Sequence, residues 1–320
     1  MKYLWKEILA AIFLVLVMPW LLFSVMTPNV INQPVQTDSV IDGAEQTVPV
    51  YIDGQVKNMS LSEYLTGVLL CEMPGGFHME AKKAQAVVAR TYTLRTTAVK
   101  DKHPMQAVCT DPACCQGYRS ETEYLSLGGS PAVVEQARLA VAETSGMVLT
   151  YQGELIDATY FACSGGQTED ALAVWGSDIP YLQSVESPGE ENANHYKDSV
   201  QFTPSQFQQA LGERFKEEPS QWIQGATYTR GGGVDTMIIC GKTYSGTALR
   251  SALGLRSTAF TITTDGKILT VTTKGFGHRV GMSQYGADAM AQQGNSFQQI
   301  LLHYYTDCQI GHADEISKGD

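Results

Sequence analysis

The chain has 320 residues, 43 % of them hydrophobic, and a formal net charge of −11. That acidic balance disfavours nucleic acid and anionic lipid as partners and leaves a neutral or amphoteric polymer open. The length suffices to bury a substantial core, and no internal repeat or low-complexity tract interrupts it.

Residues 1–7 carry Lys2, Lys6 and Glu7, and residues 8–26 are apolar apart from Ser24. Such a run is long enough to cross a bilayer as a helix. Pro19 and Trp20 fall in its outer half, where Trp suits a membrane interface. No small-x-small cleavage site stands at Phe23-Ser24-Val25-Met26-Thr27-Pro28. An uncleaved signal anchor is therefore expected rather than a removed signal peptide. Lys2 and Lys6 keep residues 1–7 in the cytoplasm, which makes a single-pass membrane protein with an extracytoplasmic body. Residues 27–48 read as an aperiodic linker, 49–312 as one large two-lobed domain, and 313–320 as a polar tail.

Within that domain, Ser60-x-x-Glu63 is a capping box, with Leu61, Leu65, Val68 and Leu69 at helical spacing behind it. Pro74-Gly75-Gly76 stops this helix near Glu72. A longer helix is predicted over 78–100, then an irregular, cysteine-rich stretch to Arg119. Ser130-Pro131 opens a helix that Gly146 ends. Strands over 147–151 and 155–161 flank the turn signal Gln152-Gly153, and 181–185 is a further strand candidate. Thr203-Pro204 starts a helix through Leu211, 234–240 reads as a strand and 247–253 as a short helix. Strands over 260–264 and 268–273 flank Asp265-Gly266. A helix from Gln284 runs to Gly294, and Ser296 caps a last one through Tyr304. The sum is an α+β fold, with helices and antiparallel hairpins around a cleft rather than alternating βαβ units.

Glu72 is the first candidate for chemistry. A carboxylate at a helix end, stopped by Pro and two Gly, sits on rigid backbone and faces open space, as a general acid should. Such an acid needs a raised pKa, which burial beside Met73 and Phe77 is expected to supply. The second candidate is His103-x5-Cys109-x4-Cys114-Cys115, one imidazole and three thiols in a bendable loop. It suits a structural zinc site, with one of the adjacent Cys114 and Cys115 the weaker ligand. A disulfide between two of the cysteines is the alternative outside the cytoplasm; the odd total of seven and the close histidine favour metal.

Ser164-Gly165-Gly166 follows a strand, and glycines let backbone N–H groups approach a ligand, though a plain tight turn explains the same pattern. No Gly-x-Ser-x-Gly surrounds Ser164 to mark a nucleophile. Gly275 to Gly286 mixes four glycines with His278, Arg279, Gln284 and Tyr285. It reads either as a cleft lining or as a loop crossing the core. Asn194-His195-Tyr196-Lys197 lies in a polar loop, and Arg90 and Tyr92 lie on the helix after Glu72, where an arginine is commonly a surface residue. Glu169 and Asp170 are the acids available for a two-carboxylate hydrolysis, although glutamates beside such turns are usually solvated.

Taken together, three blocks resemble the family of stage II sporulation protein D and the amidase enhancers. They are Glu72-Met73-Pro74 with Glu80-Ala81-x-x-Ala84-Gln85-Ala86-x-x-Ala89-Arg90-Thr91-Tyr92, then Ser164-Gly165-Gly166-x-Thr168-Glu169, then Gly277-His278-x-x-Gly281-Met282-Ser283-Gln284-Tyr285-Gly286. The resemblance covers most of the chain after Val48, in the family's order. It implies a peptidoglycan lytic transglycosylase, a carbon–oxygen lyase that cuts peptide-stripped glycan between N-acetylmuramic acid and N-acetylglucosamine and works in septal wall remodelling during sporulation. It carries the catalytic acid to Glu72, an important arginine to Arg90, and a substrate tyrosine and lysine to Tyr196 and Lys197. It also implies zinc at His103, Cys109, Cys114 and Cys115, and a cell-wall amidase and a membrane scaffold protein as partners. The competing implication is a glycan-binding activator of an amidase, with no chemistry of its own. A zinc hydrolase is weaker, since no His-Glu-x-x-His occurs.

Overall fold

The computed structural model describes residues 46–99 and 102–316. The expected anchor, nearly all of the linker and residues 317–320 of the tail lie outside them. Among the described residues, no helix is long and apolar enough to cross a membrane.

The described chain opens with β1 (Thr47–Ile52) and β2 (Gln55–Ser60), antiparallel about Asp53-Gly54. The first strand thus begins inside the last residues expected for the linker. Ser60 then caps α1 (Leu61–Glu72), its Oγ accepting from Glu63 N at 3.4 Å. Almost every side chain of α1 from Tyr64 to Leu70 is buried. Its flanks are α2 (Met79–Val99), α3 (Glu121–Ser126) and α4 (Pro131–Glu143). β3 (Val108–Cys109) joins β1 in parallel, with Cys109 opposite Tyr51. One apolar core forms here, from Val48 and Val50 of β1, Leu65 and Val68 of α1, Ala86 and Ala89 of α2, and Val134 and Val141 of α4.

Both faces of α2 are buried. The second packs Ala84, Val87 and Val88 against Leu149 of β4 (Met147–Tyr151), and against Ala287 and Ile300 farther along the chain. β4 pairs with the two-residue β5 (Glu154–Leu155), so the hairpin at Gln152-Gly153 forms. The expected second strand breaks after Leu155, however. Its far end, β6 (Tyr160–Phe161), pairs in parallel with Met282–Ser283 instead. Residues 181–185, expected as a strand, form no regular ladder. Thr168 Oγ1 accepts from Val185 N and Asp170 Oδ1 from Ser184 N, so side chains occupy donors that a ladder would use. Asp170 also precedes α5 (Ala171–Trp175).

A third core belongs to residues 197–274 alone. Here lie β7 (Lys197–Phe202), α6 (Pro204–Leu211), β8 (Ile223–Tyr228), β9 (Val234–Ile239), β10 (Lys242–Ser245), α7 (Gly246–Ala252), β11 (Phe260–Thr264) and β12 (Leu269–Lys274). Two antiparallel sheets, ordered β10-β9-β8 and β11-β12-β7, enclose Phe207, Trp222, Met237, Leu249 and Val271. Trp222 is 2 % exposed and donates its Nε1–H to Glu217 O at 2.8 Å; truncating it to Ala would cost about 3–5 kcal/mol. Lys197 and Lys274 are partners at the root of this segment. The chain then returns through β13 (Met282–Ser283), α8 (Gln284–Gln292), α9 (Phe297–Tyr304), β14 (Gln309–His312) and the short α10 (Ala313–Ile316). This is the mixed α+β architecture with antiparallel sheets that the sequence predicts.

Candidate active site

Glu72 stands at the last position of α1. Met73 leaves the helix with extended backbone (φ −107°, ψ 126°) and turns its side chain into the core. Phe77 packs edge-on against Tyr285 at 4.9 Å. Neither residue therefore supplies the apolar wall expected beside Glu72. The carboxyl instead projects into a cleft of about 670 Å³, whose lining includes Tyr92, Cys115, Tyr160, Trp175, Phe276 and Gln284. Among the described residues lining it, Glu72 is the sole carboxylate, and Lys102 the sole side chain with a fixed positive charge.

Three groups meet the carboxyl. Gly117 donates its backbone N–H to Glu72 Oε1 at 2.6 Å. Tyr160, on β6, and Gln284, at the start of α8, stand beside it, because the parallel β6–β13 pairing sets these two segments side by side. Burial pushes the Glu72 pKa above the usual carboxylate range; Gly117, Gln284 and Tyr160 pull against that shift without reversing it. The Gln284 Nε2 is buried and has no partner of ordinary hydrogen-bond length, so it acts on Glu72 through proximity more than through a formed bond. Gln116 fastens the turn: its amide donates to Thr93 Oγ1 at 2.9 Å and accepts from Tyr160 OH at 3.4 Å.

His278 lines the same cleft, its ring 5.3 Å from Trp175 and 5.6 Å from Phe161. Its Nδ1 accepts from Val280 N at 3.1 Å. Burial lowers its pKa to about 4, so the imidazole is neutral near pH 7. Tyr285 lies beyond, against Phe77 and His195.

Several expected ligand contacts lie elsewhere. Arg90 is 3 % exposed and is neither at the cleft nor on the helix surface. Its guanidinium donates to Val141 O and Met147 O, each at 3.1 Å, and so ties α2 to the end of α4 and the start of β4. Ser164 is fully buried, and the Glu190 carboxylate takes its N–H at 2.9 Å, its hydroxyl at 2.7 Å and the Gly165 N–H at 2.9 Å. The donors expected to face a sugar are thus occupied within the fold. Glu190 also accepts from Ser187 and from Ser283, the N-cap of α8, which links it to the helix that begins with Gln284. The glycines serve a backbone crossing: a Cβ on Gly275 would lie 2.6 Å from Ser164 O, and one on Gly165 2.8 Å from Gly275 N. Both readings of the Gly-rich segment therefore apply, since it crosses the core and lines the cleft. Lys197 is exposed at the start of β7, and Tyr196 beside it is half-buried; neither lines the cleft.

Glu169 is buried as well, in contrast to the solvated glutamate expected. Its Oε1 takes Arg279 Nη1 at 3.1 Å, Thr229 Oγ1 at 2.9 Å and Gly233 N at 2.9 Å. Asp170 is engaged with Ser184 N at 2.6 Å. Neither offers a second free carboxylate at the cleft.

His103, Cys109, Cys114 and Cys115 converge, with ligand atoms all within 4.8 Å of one another. His103 Nε2 lies 3.3 Å from Cys114 Sγ and 3.6 Å from Cys115 Sγ, so both adjacent cysteines aim inward. Zinc ligands held at 2.0–2.3 Å in a tetrahedron sit about 3.5–3.8 Å apart, so donor type and count suit that ion and the two His103–cysteine separations lie close to its spacing. The Tyr51 ring stacks on His103 at 5.6 Å. Sequence reasoning did not single out Gly117, Gln116, Tyr160, Trp175, Phe276 or Glu190. Only Trp175, a large aromatic that ends the short apolar run Ala171-Leu172-Ala173-Val174 just before Gly176, carries a signal that could have marked it.

Comparison with known proteins gives the class first. Residues 53–151 match the family profile of stage II sporulation protein, and the chain belongs to the stage II sporulation protein D family. It is 41 % identical over 275 residues to stage II sporulation protein D of Bacillus subtilis (strain 168), covering 84 % of this chain and 80 % of that one. It is 38 % identical over 294 residues to the protein of the same name from Bacillus amyloliquefaciens, covering 90 % and 85 %. A more distant relative is the amidase enhancer of Bacillus subtilis (strain 168), 29 % identical over 301 residues, which span 75 % of this chain and 39 % of that protein.

Proposed function

We propose that this chain is a lytic transglycosylase of peptidoglycan, cutting peptide-stripped glycan between N-acetylmuramic acid and N-acetylglucosamine during sporulation. The observation that carries this reading is the Glu72 carboxyl, the single one among the described residues lining a cleft of otherwise mostly uncharged and aromatic side chains, with its pKa pushed up by burial. Protonated Glu72 gives its proton to the glycosidic oxygen, and the leaving sugar departs. Positive charge develops at the anomeric carbon of the muramic acid. The ionised Glu72, steadied by the Gly117 N–H, then takes the proton of that sugar's C6 hydroxyl, whose oxygen closes a 1,6-anhydro ring. One carboxyl serves twice and no water is consumed, whereas hydrolysis by a carboxylate pair needs a second acid at a set distance.

His103, Cys109, Cys114 and Cys115 would hold zinc in this scheme, where the ion would supply a structural cross-link, since four side chains would leave it no open position. The anchor at 8–26 would tether the domain outside the membrane, beside a cell-wall amidase and a membrane scaffold protein. Similarity to an amidase enhancer favours a second reading, a glycan-binding activator without chemistry. Mass spectrometry of peptide-free glycan treated with the protein separates the two. Anhydromuramyl ends support the lyase, reducing ends from added water replace it with a hydrolase, and intact strands that remain bound support the activator.

A further inference from the structure

Trp175 plays no part in the proton transfers above. It ends α5, a short helix stopped by Gly176 at φ 73°. Its side chain lines the cleft that holds Glu72 and stays 44 % exposed. The indole is not loose, since the His278 ring supports it at 5.3 Å with a 49° tilt, and His278 rests on Phe161. Phe276 lines the same cleft and is 40 % exposed. Its ring is backed by the Arg256 guanidinium at 5.8 Å and by His195 at 5.2 Å, and Asp198 fixes Arg256 at 3.0 Å. Both rings are thus positioned by packing while part of each remains in water. Large aromatic surface held open in a concave site gains most when a ligand with a matching flat apolar face covers it.

A pyranose ring has such a face. Its axial C–H bonds form an apolar patch with slightly positive hydrogens, complementary to the negative face of an indole. Its hydroxyl and acetamide groups remain at the rim, free to bond with water or protein. Charged side chains are scarce in the cleft, so a polymer held by stacking fits it better than one held by ion pairs.

We propose that Trp175 is a sugar-stacking residue, taking one pyranose ring of a glycan strand on its open face, with Phe276 as a second platform in the same cleft. The inference rests on the glycan reading above and names the side chains that hold the strand.

The test uses the full chain carrying Glu72→Gln, so that bound strands are not consumed, with peptide-free peptidoglycan glycan titrated by calorimetry. Trp175→Ala in that background is expected to weaken binding about tenfold, or ~1.4 kcal/mol. Trp175→Phe, which keeps a ring, is expected to stay within about threefold of the parent. Equal melting temperatures of parent and variants show that the loss is not a folding defect. An alanine variant that binds as tightly as its parent overturns the stacking role, and so does a phenylalanine variant as weak as alanine. A parent that binds no glycan at all overturns the glycan reading itself, an outcome distinct from failure of Trp175 alone.

Discussion

Gly117 and Glu72 are 45 residues apart in sequence, yet the Gly117 N–H meets the Glu72 carboxyl at 2.6 Å. A side chain has no room there, because a Cβ on Gly117 would lie 2.8 Å from Glu72 Oε1 and 2.9 Å from Cys71 Sγ. Gly117→Ala must therefore push the carboxyl out of place. Release of anhydromuramyl product should fall about 10- to 100-fold, while circular dichroism stays unchanged. Full activity in this variant would show that the position of the carboxyl is not set by the 117 turn.

Glu72→Gln should abolish cutting, since an amide cannot lend the same proton. It should also stabilise the protein near neutral pH, and the sign follows from burial. The folded carboxyl is held above its ordinary pKa, whereas the unfolded chain ionises at about 4.3. Above that pH the folded state binds more protons than the unfolded one, so stability falls with rising pH until the folded pKa is passed. The glutamine variant escapes this penalty. Its melting temperature should exceed the wild type at about pH 7 and converge with it below about pH 4. Thermal unfolding across that range checks the prediction; a wild type that melts higher at neutral pH contradicts the raised pKa.

Arg279→Met should destabilise the fold by about 3–5 kcal/mol, because Glu169 would remain buried and charged with its cation gone. The side chains of this pair are 2 % and 1 % exposed. Arg279 also donates to Gln167 O and Gly231 O, each at 2.7 Å. Adding Glu169→Gln removes the stranded charge and should recover part of the loss. Urea denaturation of both single variants and the double variant reads the coupling; strict additivity would mean the pair acts as two independent groups.

Metal removal should be felt at Glu72. Cys115 immediately precedes Gln116 and Gly117, so a metal cross-link through the cysteine cluster would also steady the turn that holds the acid. Elemental analysis should find about one zinc per chain. Chelation should lower the melting temperature by several degrees and speed amide exchange at Gly117. A metal-free protein with a disulfide in this loop would replace the zinc assignment.

Helices were the most legible part of the sequence, because their ends are written in local chemistry. Thr203 with Gln206, and Ser296 with Gln299, form the reciprocal caps that such patterns predict. The placement of Glu72 at a helix end beside a cleft and the convergence of His103 with Cys109, Cys114 and Cys115 were also legible, since residue type and short spacing carry their signal. What escaped the sequence depends on distant partners. Nothing in the local sequence marks Glu190, because its oxygens take donors from the distant Ser164, Gly165 and Ser283. Arg90 looked like a surface arginine, yet carbonyls of a different helix and strand enclose it. Tyr160 reached Glu72 only because β6 chose β13 over the hairpin partner its own neighbours suggest.

The segment carrying the third core leaves and rejoins the fold at one rung, where Lys197 faces Lys274. Closing a chain excursion costs only the logarithm of its length. Evolution or an engineer can therefore lengthen or shorten the loops of this cassette without moving the helix that carries the acid, provided the Gly233, Thr229 and Gly231 contacts to Glu169 and Arg279 and the Arg256 support of Phe276 are kept.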